Sequence, residues 1–93
     1  MEDKITKEKL DKYYHLTDKA LEMARNSAIK NKKKQANEII TMVSNYLSDA
    51  KYFEQTGDFI NAFAAINYAH GWLDSGVRLG IFNVKDNKLF TIR

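Results

Sequence analysis

Between Phe59 and Val77 the sequence carries a single formal charge, Asp74, and this neutrality constrains the fold more than any other feature. Placed at about 100° per residue, Phe59, Ala62, Phe63, Ile66, Ala69, Leu73 and Val77 form one apolar stripe. The opposite face of a surface helix should be charged. Here it carries Ala64, Ala65, Tyr68, Gly71, Trp72, Ser75 and Gly76. A helix neutral on both faces is normally buried on both faces, yet a bundle of three helices has one interior. The second face therefore calls for a cover, which is the C-terminal tail, another copy of the chain, or a partner.

Two more stripes precede this one. Leu10, Tyr13, Tyr14, Thr17, Ala20, Leu21, Ala24 and Ala28 share a helical face, with Thr6 or Asp3 as the cap, and predict a first helix over about residues 6–28. Ala36, Ile39, Ile40, Val43, Tyr46, Leu47, Ala50 and Phe53 predict a second over about 33–56. Gly57-Asp58 is the clearest punctuation: glycine suits the left-handed position that ends a helix, and Asp58 can cap the next. The third helix then runs over about 58–79, and so short a link folds helices two and three into an antiparallel hairpin. Beyond it, residues 81–92 read as two short β-type runs around a turn at Lys85-Asp86-Asn87-Lys88. A lone two-stranded hairpin is marginal in water, so this tail needs support, and the Trp72 face is a candidate surface. With 93 residues, no Pro and only 4 Gly, the expected fold is one all-α domain over 1–93: a three-helix bundle with a short extended tail.

Composition removes several function classes. The chain has no Cys, which excludes disulfide scaffolds, thiolate zinc sites and thiol nucleophiles. Residues 1–10 are charged throughout and lack the apolar core of a signal peptide. No run approaches the ~18 apolar residues of a membrane span. A cytoplasmic protein without a membrane partner is expected. Phosphate-binding loops, Gly-x-Ser-x-Gly and His-Glu-x-x-His are absent, so neither an enzyme nor a cofactor is expected.

Three constellations remain. The net charge is only +3, but Lys30, Lys32, Lys33 and Lys34 are concentrated in the segment between the first two helices. They suit salt-sensitive contact with nucleic acid, or else form a solvated loop beside a helix C-terminus, where cations are favoured. His70, Asp74 and Arg78 follow at four-residue steps, with Asn67 one turn earlier. That arrangement suits a general base oriented by a carboxylate, or a core histidine bonded to a tyrosine hydroxyl beside an Asp74–Arg78 ion pair. No metal is expected, because His15 is the only other histidine. Finally, Ala64, Gly71 and Ser75 are small residues on one side of the third helix, next to Tyr68 and Trp72. Glycine is unfavourable in a helix interior, so a close approach there by another helix or by the tail is expected. Trp72 is then either an interface anchor or a lid for the tail.

Two resemblances attach to these residues. Residues 52–69, with Gly57-Asp58-Phe59 and Ala62, look like the inner part of a tetratricopeptide hairpin, although a single hairpin is present and stacked arrays need at least three repeats. Continuing through Ala64-Ala65-Ile66-Asn67-Tyr68-Ala69-His70-Gly71-Trp72-Leu73-Asp74-Ser75-Gly76-Val77-Arg78-Leu79-Gly80-Ile81-Phe82, the segment resembles the archaeal domain-of-unknown-function family 357. That resemblance implies a small helical bundle from an archaeal cytoplasm and brings no activity with it.

The leading expectation is a non-enzymatic interaction module. It uses Ala64, Tyr68, Gly71, Trp72 and Ser75 for self-association or a protein partner. The alternatives are a nucleic-acid binder working through the four lysines, and a small enzyme or ligand binder centred on His70, Asp74 and Arg78.

Overall fold

Local devices end all three helices and begin the first and the third. In the computed structural model, which describes residues 4–86 and 89–90, the Thr6 side chain accepts from the Lys9 amide and opens α1, Lys7–Arg25. Asn26 and Ser27 close it by donating their side chains to the Glu22 and Met23 carbonyls. These bonds satisfy orphan carbonyls that would otherwise draw the helix onward. The first helix is therefore shorter than the apolar pattern predicts, and Ala28 has left it. After one 3₁₀ turn, Lys30–Lys32, α2 runs over Lys33–Gln55, and α3 over Phe59–Arg78.

The α2–α3 link follows from glycine chemistry. Gly57 has φ of 80°, a backbone region that other residues rarely adopt. Its amide donates to Glu54, and the next amide, of Asp58, donates to Phe53 at 2.8 Å. This pair of bonds is a Schellman closure. The Asp58 carboxylate then accepts from the Asn61 amide and caps α3. The same closure recurs at the far end of α3. There Gly80, φ 74°, donates to Val77, and Ile81 donates to Gly76 at 2.8 Å.

The core lies where three stripes meet. Leu10, Ala20, Leu21 and Ala24 of α1 face Ala36, Ile39, Val43, Leu47 and Ala50 of α2, and Ala62, Ala65, Ile66, Ala69 and Leu73 of α3. Alanine at three of these α3 positions lets helix axes approach closely. Packing is most extensive between α2 and α3, and α1 lies more on α3 than on α2. Tyr13 of α1 meets Phe63 of α3 edge to face, with ring centroids 5.2 Å apart. At the opposite edge Lys7 bridges Asp11, at 2.9 Å, and Glu54, at 3.4 Å. Its hydrogen bonds to them hold the Lys7 ammonium above its ordinary pKa, and the Lys7 bond holds the Asp11 carboxyl below. Solvent screens so exposed a network, and it contributes little to stability.

The tail departs from the predicted pair of β runs. Among the described residues no strand forms. Residues 81–83 instead run antiparallel to the loop after α1: Ile29 donates to Ile81, Asn83 donates to Ser27, and Ala28 bridges Phe82. The early end of α1 leaves backbone groups in that loop that need partners, and the tail supplies them. Ile81, Phe82 and Phe90 are buried. In the predicted turn, Asp86 accepts from the Leu89 amide. Residues 87–88 of that turn and 91–92 of the second run lie outside the described residues. No described helix is long and apolar enough to cross a membrane.

Candidate functional site

The hairpin sets the level of every residue on α2 and α3. Tyr46 stacks on Tyr68 with centroids 5.7 Å apart and planes 29° apart, and Ile39 lies beside Gly76. Met42 and Trp72, equally far from Gly57 along the chain, therefore stand at one level. α1 covers one side of this helix pair. On the other side a groove of about 780 Å³ runs between Lys34, Gln35, Glu38, Ile39 and Met42 of α2 and Trp72, Leu79 and Ile81. Trp72 is 40% exposed, Tyr68 63% and Leu79 71%. Beside the groove, Asn67, Tyr68, Gly71, Trp72 and Ser75 line a shallower hollow of about 340 Å³.

Four of the five predicted face residues, Tyr68, Gly71, Trp72 and Ser75, thus line one open surface, with half-buried Ala64 one turn earlier. Pattern reading missed Met42, Leu79, Glu38 and Lys34 as its neighbours. Counting outward from Gly57 brings Met42 level with Trp72, and Leu79 lies two turns beyond Trp72. The described part of the tail leaves this surface open, because Phe82 seats against Gly76 and Leu89 sits near His70.

The close approach predicted at Gly71 lies at Gly76. A Cβ on Gly76 would come within 2.7 Å of the Phe82 ring, whereas one on Gly71 meets nothing within 4 Å. Ala65 and Gly76, assigned above to the neutral outer face, are buried. The second face of α3 is therefore divided: α2 and the tail take one edge, and the strip from Ala64 to Leu79 stays open.

The lysines also change place. Rather than following a helix C-terminus, Lys30 and Lys32 form the 3₁₀ turn, and Lys33 and Lys34 begin α2. α2 has neither a side-chain cap nor an acid in its first turn. Cations at that end oppose the helix dipole. Lys30, Lys33 and Lys34 are exposed, and Lys32 is half-buried.

Asn67, His70 and Asp74 come together, with Tyr13, Leu16, Thr17 and Leu89, around a cleft of about 390 Å³ between α1 and α3. Arg78 does not line it. The predicted tyrosine partner of His70 is in fact Thr17, whose Oγ1 is 3.0 Å from His70 Nδ1. Asp74 Oδ1 stands 3.9 Å from His70 Nε2, an ion-pair distance too long for a hydrogen bond. The predicted Asp74–Arg78 pair is not formed among the described residues. Thr17 is 2% exposed, so its hydroxyl is committed to fastening α1 to α3. Among the described residues, no group of three His, Asp or Glu stands close enough to hold a metal ion.

A family model described as Protein of unknown function (DUF357) matches residues 12–82, from α1 to the start of the tail. That match covers well over half of the chain and places it in the family. Comparison with curated proteins and with solved structures finds no match.

Proposed function

We propose that this member of the DUF357 family is a non-enzymatic protein-interaction module whose binding surface is the open α2–α3 face. One observation carries this reading: Trp72, 40% exposed, shares an apolar groove with Met42 and the more exposed Leu79. Exposed apolar surface gathered into one patch marks an interaction site, whereas the same residues scattered singly would not. Tryptophan is enriched among the residues that dominate binding energy. The only carboxylate on the central part of α3, Asp74, lines the cleft toward α1 beside His70, so partner docking need not desolvate it.

A photo-crosslinking residue placed at position 79 of the full chain in its native cells tests this. A discrete protein adduct is expected, of either this chain or another protein, and Trp72→Glu should remove it while the far-ultraviolet dichroism stays unchanged. Absence of any adduct, or adducts indifferent to Trp72→Glu, would contradict the reading.

The lysines favour a second reading, auxiliary contact with nucleic acid. Three of the four are exposed around the start of a helix that carries no acid in its first turn. Phosphate is attracted to such a place. Anisotropy of a labelled mixed RNA should then show binding at ~50 mM salt that weakens at least tenfold by ~200 mM. It should fall further when Lys30, Lys33 and Lys34 are changed to Ala together. No binding at the lower salt disposes of this reading.

A further inference from the structure

We propose that the occupant of the α2–α3 groove is a second copy of this chain, seated about a two-fold axis that crosses both helices near Met42 and Trp72. The proposal deepens the interaction reading above and rests on it.

The open strip of α3 complements itself. A two-fold contact places a residue on one side of the axis against its mirror position on the other copy. About a point midway between Gly71 and Trp72, the strip then maps large onto small. Trp72 falls on Gly71, Tyr68 on Ser75 and Leu79 on Ala64 of the second copy. Gly71 has open space where a Cβ would stand, so an indole can settle there. The outer edge of α2 repeats the pattern in charge. About a point midway between Thr41 and Met42, Lys34 falls on Asp49, and Glu38 on the neutral Asn45. Lys34, Glu38, Asn45 and Asp49 are all exposed. Among the described residues neither Lys34 nor Asp49 has an opposite charge as partner. The two midpoints stand at nearly one level, because Met42 is level with Trp72 in the hairpin. One axis therefore serves both helices.

Charge also rejects the rival symmetry. An axis parallel to the helices would set α2 against the other copy's α3 at unchanged height. Lys34 would then face the end that carries Arg78, and the basic ends would coincide. The crossing axis sets α2 on α2 and α3 on α3, each antiparallel, and brings basic onto acidic. The product is a four-helix core with both copies of α1 outside it.

The contact is modest in size. From position 64 to 79 a helix rises roughly 22 Å, and two helices side by side are roughly 20 Å wide. Such a footprint, roughly 440 Å² on each copy, is about half that of a standard stable interface and belongs with the weak, transient ones, so dissociation at micromolar concentration is expected.

Sedimentation equilibrium of the full chain from ~1 µM to ~1 mM reads the result across that range. The 10.8 kDa chain should convert to twice its mass. Emission of Trp72, the only tryptophan, should move to shorter wavelength over the same range. Lys34→Glu and Asp49→Lys should each weaken the dimer about tenfold, since symmetry turns two attractive pairs into two repulsive ones. Both changes in one chain should restore affinity to within about threefold. A monomer throughout, or a dimer that the double exchange fails to restore, overturns the proposal. A monomer that still crosslinks from position 79 to a different protein overturns the second copy alone. A monomer without any adduct removes the interaction surface as well.

Discussion

Phe82→Ala should lower stability by about 3–5 kcal/mol, the range for emptying a buried aromatic site. For a chain of this length the melting midpoint falls by roughly 15–30 °C. The size follows from what the ring joins. Phe82 is 2% exposed, and its ring occupies the space where Gly76 lacks a side chain, beside Ile39. It therefore closes the end of the bundle at which α2 begins and α3 stops. It also fixes the tail against the loop after α1, where the Ile29 and Asn83 amides are hydrogen-bonded. Calorimetry gives the magnitude, and amide exchange gives the mechanism: Ile29 and Asn83 should lose protection in the variant before the α3 interior does. A tail merely draped over the surface would shift the midpoint by under ~5 °C, within the usual effect of a surface change, and that result would remove the tail from the core.

What could be read from sequence alone divides along the range of the interactions. Gly57 and Asp58 reveal the hairpin because both devices act within four residues of themselves, through a left-handed backbone and a side-chain cap. The neutral strip of α3 is legible for a similar reason, since charge along one helix needs no knowledge of its neighbours. The start of α2 is not legible: it has no side-chain cap, and a run of lysines marks neither a stop nor a start. The partner of His70 lies 53 residues away, and local periodicity says nothing about how α1 slides along α3. The tail is hidden for a further reason. Ile81 and Phe82 are apolar whether they pair with a second β run, cover Trp72, or fill the space above Gly76. Only the early end of α1, fixed by the Asn26 and Ser27 side chains, decides among these by leaving a loop with backbone groups to pair.

Two glycines five positions apart on neighbouring turns should respond to the same substitution with opposite sign. Alanine in place of glycine inside a helix is worth up to ~1 kcal/mol in propensity. At position 71 nothing opposes that gain, because a Cβ there meets no atom within 4 Å. Gly71→Ala should therefore stabilise the single chain by up to ~1 kcal/mol. At position 76 the Cβ would stand 2.5 and 2.7 Å from two carbons of the Phe82 ring and 3.1 Å from Ile39 Cδ1. The ring cannot swing aside cheaply, since Phe82 is buried and backbone bonds hold its neighbours on both sides. Overpacking of this kind costs about 1–3 kcal/mol, so Gly76→Ala should be destabilising by about 1–2 kcal/mol once the propensity gain is subtracted. Gly76→Ala combined with Phe82→Leu should recover part of the loss, because a smaller side chain vacates the contested space.

The comparison is best made on denaturant midpoints at low micromolar concentration, where a single chain is measured. At high concentration Gly71→Ala should act differently, because the methyl group fills the hollow into which Trp72 of a second copy settles. The same change would then raise the stability of the chain and weaken its self-association. A destabilised Gly71→Ala monomer would mean that the hollow is already filled within one chain, and the open face of α3 would no longer be open.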